Sequence, residues 1–357
     1  QGWRRFVWNE VFQSQKEFEH VPEVHGPVIT ARVKDPQGKP VHGSTVYLAS
    51  PDKILRVYGA QSNQNGLVQF EAKDFWGAKK IFVQPDGNLD STSRVELVNA
   101  FSEKEPPFTP PVLNLAPTTE KMLLARSVSM QLQNIYYQEE TTKVNIPPVD
   151  SVAFYGQADE TYYLDDYTRF PIMEEVMREY VAGVMVRKRK DHFYFILLDK
   201  TNKSVFRENS LILLDGVPIF DVDRIMSFDP LRIKKLDVVN RTYYLGQLTL
   251  PGIVSYSTYT GDMAGFPLPQ RVLSLDYDGL QVQREFYSPK YETTSRNRVP
   301  DHRSLLHWQP ALRTEKDQST TFEFYTSDLT GDFEIVIQGI SSDGEVGAIR
   351  QPFTVKK

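Results

Sequence analysis

The sequence predicts a multidomain, mainly β chain in which two β-sandwiches flank a small α+β domain, with one long connecting helix. The composition favours strands and turns, with 21 Phe and 18 Tyr beside 23 Pro and 20 Gly. Toward both ends of the chain, short segments alternate apolar and polar residues between turn signals, which is typical of sandwiches. In the middle, the unbroken apolar run Leu211–Leu214 predicts a strand buried on both faces.

The chain length of 357 residues predicts two or three domains. Changes of pattern divide it into an N-terminal helical segment at 1–22, a first sandwich at 23–102, a Pro-rich connector with a helix at 103–149, an α+β domain at 150–265 and a second sandwich at 266–357. The chain begins with Gln1 and lacks the charged-then-apolar layout of a signal peptide. We therefore expect a mature form or the C-terminal part of a longer protein.

Charge and cysteine content exclude several function classes. The net charge is −5, with 41 basic and 46 acidic residues, so there is no electrostatic case for a nucleic-acid partner. The absence of Cys excludes disulfides, thiolate metal sites and Cys nucleophiles. No apolar run approaches the roughly 20 residues of a membrane helix, so we expect no transmembrane segment.

The first sandwich is predicted from at least five short strands. At 28–33, alternation places Ile29, Ala31 and Val33 on one face. Further alternating segments, separated by turn signals, lie at 45–49, 67–70, 80–84 and 93–97. The string Val-Lys-Asp-Pro-Gln-Gly-Lys-Pro-Val-His-Gly-Ser-Thr-Val-Tyr-Leu at 33–48 resembles carboxypeptidase-regulatory-like modules, which are small sandwiches that act as spacers or docking units.

A helix of about five turns is predicted at 118–138, after the Pro-rich connector. Its apolar stripe consists of Leu124, Val128, Leu132 and Ile135, which recur at helical spacing. We expect this stripe to pack against a neighbour.

The α+β domain is predicted from an ordered set of segments. A helix preceded by Thr168 carries Ile172, Val176 and Tyr180 on one face. The strand Leu211–Leu214 then runs into the turn Asp215-Gly216, followed by a short helix that Asp221 caps. Strands at 231–239 and 252–258 complete the pattern.

This order of segments, over residues 160 to 262, resembles the plug domain of TonB-dependent outer-membrane receptors. In that family an apolar strand ends in Asp-Gly-Val-Pro and leads into a short helix and a strand heading toward a Gly, as here at 211–218 and after. A receptor carries a large barrel of alternating strands after its plug, whereas only 95 residues follow residue 262 and they lack that repetition. The resemblance therefore implies a plug-like domain whose barrel is supplied by another chain.

The C-terminal segment resembles the macroglobulin-like, Ig-like domains of the alpha-2-macroglobulin superfamily. The resemblance rests on Leu306-His-Trp-Gln-Pro310 and on the strand, Ser-Asp-Leu turn and strand at 324–339. The alternation at 320–325 and 332–338 and the turn Asp343-Gly344 predict the strands and hairpin. The thioester of that superfamily needs a Cys, so covalent protease trapping does not carry over.

Two surfaces are candidates for contact with a partner. One lies around Asp215 and Gly216, and the other is a predicted hairpin tip formed by Arg187, Lys188, Arg189 and Lys190. The charges at the tip have two interpretations. They keep a strand edge soluble, or they contact acidic lipid headgroups or an acidic partner.

A third candidate is the loop with Tyr162, Tyr163, Asp165 and Asp166, which combines aromatic rings and carboxylates as some carbohydrate-binding surfaces do. The alternative is a solvated loop leading into the next helix. His302 and His307 are the closest pair of histidines, but five residues apart they do not share a helical face. We find no nucleophile elbow, phosphate loop or dinucleotide fingerprint, and we predict no catalytic, metal or cofactor site.

The sequence therefore predicts a non-enzymatic component of an outer-membrane assembly in a Gram-negative bacterium, periplasmic or associated with the outer membrane. The resemblance implies that the plug-like domain docks on or occludes a partner β-barrel, in outer-membrane transport, type IX-like secretion or barrel assembly. The alternative function is a periplasmic or surface module that binds glycans or peptides through the Tyr-rich loop.

Overall fold

The computed structural model describes residues 23, 25–51, 54–87, 93–100, 112, 116–206, 208–291, 299–315 and 319–357. The N-terminal helical segment predicted at 1–22 and most of the Pro-rich connector lie outside these residues. The chain forms two compact units. Unit 1 comprises Gln1–Lys104 and Pro148–Gln281, and unit 2 comprises Glu105–Pro147 and Val282–Lys357.

The described chain is mainly β-structure with few helices, as the sequence predicts. The strands are β1 Val28–Lys34, β2 Thr45–Ser50, β3 Arg56–Gln61, β4 Leu67–Glu71, β5 Ala78–Pro85, β6 Arg94–Leu97, β7 Val144–Asn145, β8 Glu160–Tyr163, β9 Val184–Arg189, β10 His192–Asp199, β11 Ser204–Val205, β12 Leu211–Leu214, β13 Val217–Pro218, β14 Ile233–Val239, β15 Tyr243–Leu245, β16 Leu248–Leu250, β17 Ile253–Thr258, β18 Leu273–Asp278, β19 Gln283–Arg284, β20 Gly331–Ile340 and β21 Val346–Val355. The helices are α1 Glu120–Tyr136, α2 Gln138–Thr141, α3 Met173–Tyr180 and α4 Val222–Met226.

The N-terminal part of unit 1 consists of a three-stranded sheet ordered β4-β1-β6 and a four-stranded sheet ordered β18-β5-β2-β3. Ile29, Ala31 and Val33 share the buried face of β1, as alternation predicts, and they pack with apolar residues of the second sheet. Strand β18 lies in that second sheet because it pairs along its length with β5. The start predicted at residue 266 for the second sandwich therefore differs from the structure, in which unit 2 resumes at Val282.

A five-stranded mixed sheet ordered β13-β12-β17-β14-β8 forms the centre of unit 1. Strand β12 pairs with β17 in parallel, and the other neighbours pair antiparallel. All four residues of β12 are buried, which confirms the prediction of a strand buried on both faces. Leu211 and Leu213 enter one apolar cluster, and Ile212 and Leu214 enter another.

These clusters also contain side chains from the N-terminal strands. Tyr47 and Val57 lie in the cluster of Leu213, and Phe82 lies in the cluster of Leu214. The segments 23–102 and 150–265, which the sequence pattern separates into two domains, thus share apolar cores within unit 1. The reason is that β2 is buried along nearly its whole length and contacts apolar residues with both faces.

Helix α3 begins later than its sequence signals predict. Its first residue is Met173, and no side chain caps it, so Thr168 is not its N-cap. The buried side chains are those of Met173, Val176 and Met177, whereas Ile172 is half exposed. Ile172 precedes the helix in extended conformation, so its side chain does not continue the helical face.

In unit 2, helix α1 forms where the sequence predicts it, but the predicted stripe is not covered. No residue of α1 is buried among the described residues, and Leu124 and Ile135 are 66% and 71% exposed. Met122, Leu123 and Met130 are also exposed and lie on other faces of the helix. Because its apolar residues surround the helix, α1 lacks the single apolar face that would favour one packing direction.

The remainder of unit 2 contains the antiparallel hairpin β20–β21 and the short antiparallel pair β7–β19. The strand predicted at 320–325 is absent, and this segment packs through its rings instead. His307, Phe322, Phe324, Phe353 and Phe333 form a row with neighbouring ring centroids 5.5–6.3 Å apart. Among the described helices, none has the length and apolar character needed to span a membrane.

Candidate functional site

The basic segment 187–190, called here the basic tip, lies at the end of the β9–β10 hairpin, as predicted. Lys190 and Asp191 form the turn with φ values of 49° and 66°, the left-handed conformation that two-residue hairpin turns require. Arg187 and Arg189 alternate with Lys188, so they share the face of β9 opposite to the buried Val186. All four basic side chains of the tip are exposed.

Only one of the four charges has a partner within the part of the chain that the structure describes. The Nζ atom of Lys188 lies 4.1 Å from the centre of the Phe193 ring and 3.5 Å from a carboxylate oxygen of Glu174. The side chains of Arg187, Arg189 and Lys190 form no hydrogen bond or ion pair with described residues. Three basic side chains at the end of one hairpin are therefore exposed to solvent.

The tip is held against helix α4 by Asp223. One carboxylate oxygen accepts a hydrogen bond from the backbone N–H of Phe193 at 2.7 Å, and the other lies 2.5 Å from Nδ1 of His192. The Phe193 N–H and His192 together hold the pKa of Asp223 below its usual value. The hydrogen bond to Asp223 likewise raises the pKa of His192 above its usual value.

The turn Asp215-Gly216 has a different role from the one the sequence predicts. Asp215 is 2% exposed and Gly216 is also buried, so neither offers a surface to a partner. The Asp215 carboxylate accepts hydrogen bonds from the N–H and hydroxyl of Thr258, at 2.8 and 2.6 Å, and from the N–H of Met263 at 2.7 Å. Asp215 therefore anchors the loop after β17 to the end of β12.

The Tyr-rich loop lies at the edge strand β8 and the turn that follows it. Tyr163 is 50% exposed, and Asp165 and Asp166 are exposed beside it. Tyr162 is half buried, and its hydroxyl donates a hydrogen bond to the carboxylate of Glu160. Burial and this hydrogen bond raise the pKa of Tyr162. Tyr259, which the sequence does not single out, donates a hydrogen bond to Asp165 and adds a second ring that is 50% exposed.

Two buried carboxylates, which the sequence did not single out, hold neighbouring segments together. In unit 1, Asp237 accepts from Tyr155 at 2.8 Å and from Thr161 at 2.7 Å, and burial raises the pKa of Tyr155. In unit 2, Asp301 and Arg303 form a buried ion pair at 2.9 Å. Alternation in β14 places Asp237 with Lys235 on the face opposite to Leu236 and Val238, so the sequence pattern gives no signal of its burial.

The remaining candidates for a functional site are a metal cluster, the pair His302 and His307, and a cavity. No group of three or more His or carboxylate side chains among them is arranged to hold a metal ion. The ring of His307 stacks against those of Phe322 and Phe324, with centroid distances of 5.5 and 5.9 Å. A cavity of about 590 Å³ in unit 2 is open and polar, lined by Gln133, Asn134, Gln138, Thr141, Thr142 and Arg284. The basic tip remains a candidate surface for contact with a partner, since its side chains are exposed.

Comparisons with known proteins identify no relative. No protein-family model matches the chain, and no curated protein and no solved structure is similar to it. The function must therefore be argued from the geometry of the chain itself.

Proposed function

We propose that this chain is a non-enzymatic component of an outer-membrane assembly in a Gram-negative bacterium, acting in the periplasm or at the outer membrane. In this proposal, residues 150–265 are a plug-like domain that docks on or occludes a β-barrel supplied by a partner. Transport, type IX-like secretion and barrel assembly are the candidate settings. The sheets of residues 23–102 and the hairpin of unit 2 act as carboxypeptidase-regulatory-like and macroglobulin-like, Ig-like sandwiches that position the plug-like domain.

The observation that supports this proposal most strongly is the arrangement around β12. A short strand buried on both faces lies parallel to β17, ends in the turn Asp215-Gly216 and leads through β13 into helix α4. This is the order of elements that the plug resemblance implies. The buried turn serves the fold, so the contact with a partner is assigned to the exposed surface at the basic tip.

The basic tip supports a docking role because its charges are unpaired while its backbone is restrained. Arg187, Arg189 and Lys190 are exposed, and Asp223 holds the strand that follows them. The restrained backbone leaves only the Arg and Lys side chains to lose conformational entropy when the tip binds an acidic surface. Strand β9 is also the edge of its sheet, where basic residues discourage strand pairing, so only a binding experiment separates the two interpretations.

Capture from detergent-solubilised Gram-negative outer membranes tests the proposal. The immobilised chain is compared with the triple variant Arg187→Glu, Arg189→Glu, Lys190→Glu and with a control of equal charge change, Lys39→Glu, Lys73→Glu, Lys203→Glu. Barrel proteins are recognised by their faster electrophoretic migration before boiling. We expect the chain and the control to retain the same barrel and the tip variant to lose it. Repeated capture without any barrel protein would refute the proposal.

The Tyr-rich loop favours a second function, the binding of glycans or peptides. Tyr163 and Tyr259 expose half of their surfaces beside Asp165, a combination that can stack on sugar rings and accept hydrogen bonds. A glycan array tests this function when it is probed with the chain, with Tyr163→Ala and with a control, Tyr244→Ala. Tyr244 lies in another sheet and is 71% exposed. Binding that only Tyr163→Ala abolishes would support it, and silence across the array would remove it.

A further inference from the structure

The hairpin β20–β21 in unit 2 exposes an unusual amount of apolar surface. Its two ten-residue strands pair with each other and with no other described strand. Ile337, Ile340, Val346 and Ile349 are 42%, 73%, 81% and 58% exposed. An isolated two-stranded hairpin is marginally stable in water, so a long one with exposed aliphatic residues calls for additional cover.

The two edges of this hairpin differ in their capacity to accept another strand. Strand β21 carries Pro352, which lacks a backbone donor, and the charged Arg350. Strand β20 has neither Pro nor Lys, and its residues 335–340 carry no charge. Edge strands that remain unpaired are usually protected by such residues, and β20 lacks them over its C-terminal half.

We propose that the free edge of β20 pairs antiparallel with β20 of a second copy of this chain, joining two hairpins into one four-stranded sheet. The argument for a second copy is the charge pattern of β20 itself. Its two carboxylates, Asp332 and Glu334, lie in the N-terminal half, and the C-terminal half is neutral. Two-fold antiparallel pairing therefore places each acidic end against a neutral end, so that no like charges meet.

Two registers of the β20–β20 pairing fit this charge pattern. Pairing centred on Val336 overlaps residues 332–340 and places Glu334 opposite Gln338 of the second copy. Pairing centred on Ile335 places Asp332 opposite Gln338. In both registers the amide of Gln338 faces a carboxylate, to which it can donate a hydrogen bond. Both registers also set the exposed Ile337 side chains of the two copies on a common sheet face.

Sedimentation velocity on the full chain over a range of concentrations tests the proposal. We expect a concentration-dependent dimer. Because residue 338 meets a carboxylate twice across the two-fold axis, Gln338→Glu should weaken self-association by about tenfold, and Gln338→Lys should strengthen it. Ala348→Glu adds the same charge to the same face on β21, away from the interface, and should leave the association unchanged.

Circular dichroism and the cooperativity of thermal unfolding show whether each variant is folded. A chain that remains monomeric at all concentrations would overturn the proposal. This holds also if the β20 amides of that monomer resist hydrogen exchange, because another segment of the same chain would then cover the edge. A dimer with equal affinity in the Gln338→Glu and Gln338→Lys variants would also overturn it. A general loss of stability would weaken self-association in both variants. Opposite effects of Gln338→Glu and Gln338→Lys therefore cannot come from such a loss.

Discussion

Asp215 is constrained in both its backbone and its side chain. Its φ of 47° lies in the left-handed region, which Asp and Asn tolerate better than other non-Gly residues. Its carboxylate is buried and accepts three hydrogen bonds from the segment 258–263. The side chain therefore joins the end of β12 to a loop more than 40 residues further along the chain.

We predict that Asp215→Ala lowers the free energy of unfolding by about 3 kcal/mol, because it leaves buried N–H groups without acceptors. Asp215→Asn should cost less, since Asn tolerates the same backbone conformation and keeps one acceptor oxygen. Chemical denaturation monitored by fluorescence measures both values. Equal, small losses of below about 0.5 kcal/mol for both variants would contradict the anchoring role.

His192 provides a pH-dependent contact at the basic tip. Its pKa is raised by the hydrogen bond to Asp223, so protonated His192 stabilises the hairpin. A raised pKa in the folded chain means that this stabilisation is complete below the ordinary pKa of about 6.5 and is lost as the pH rises through the raised value. The carboxylates of Asp223, Asp221 and Asp191 all raise the pKa of His192, with Asp223 contributing most.

A proton NMR titration of the His192 ring checks this prediction. We expect a midpoint above about 6.5 in the native chain and a lower one in Asp223→Asn. The resonance of His42 serves as the internal control and should not respond to that substitution. A His192 midpoint that Asp223→Asn leaves unchanged would show that the contact does not form in solution.

The residue scale also shows what could be predicted from the sequence. The Asp-Gly turn after β12 could be predicted because its chemistry is local. The partners of the Asp215 carboxylate could not be predicted, because Thr258 and Met263 lie far away in the chain and their approach depends on the parallel pairing of β12 with β17. Burial of the turn followed from that pairing, and this is why Asp215 was wrongly expected near a partner surface.

At the scale of elements, every residue of strand β12 is buried. Its side chains alternate between two apolar clusters, which explains why the sequence shows an apolar run rather than alternation.

Helix α1 shows the opposite case. Its periodicity predicted the helix correctly, but periodicity alone does not reveal whether a partner element covers the stripe, and the described residues leave it exposed.

We predict that Leu213→Ala, at a fully buried position, lowers the free energy of unfolding by about 3 kcal/mol through lost burial and a residual cavity. Leu231→Ala is the matched control, because Leu231 is 50% exposed. It should change the unfolding free energy by less than about 1 kcal/mol. Urea denaturation of the two variants measures the difference, and equal effects would contradict the two-sided burial of β12.

At the scale of the molecule, unit 1 joins two segments that the sequence pattern separates. Tyr47 of β2 is buried, and its ring centroid lies 5.7 Å from that of Phe220, which precedes helix α4. Short strands with alternating residues indicate a sandwich, but they do not reveal that an outer face of that sandwich is also apolar and covered. The two predicted segments therefore share apolar clusters within one compact unit.

We predict that Tyr47→Ala destabilises the α+β part as well as the N-terminal sheets. Native-state hydrogen exchange should show faster exchange of the β12 amides, because the substitution removes part of their shared apolar cluster. Tyr244→Ala, at a position that is 71% exposed, is the control and should leave these amides protected. Unchanged β12 exchange in Tyr47→Ala would indicate two independent domains.

The proposal that residues 150–265 form a plug-like domain for a partner barrel rests on contact through the basic tip. Site-specific photo-crosslinking in outer membranes tests it most directly, with p-benzoylphenylalanine introduced at Arg189 and, as a control, at the exposed Lys203 of the same unit. The account predicts a covalent adduct with a heat-modifiable barrel protein from position 189 and none from position 203. No barrel adduct from position 189, or the same adduct from both positions, would contradict it.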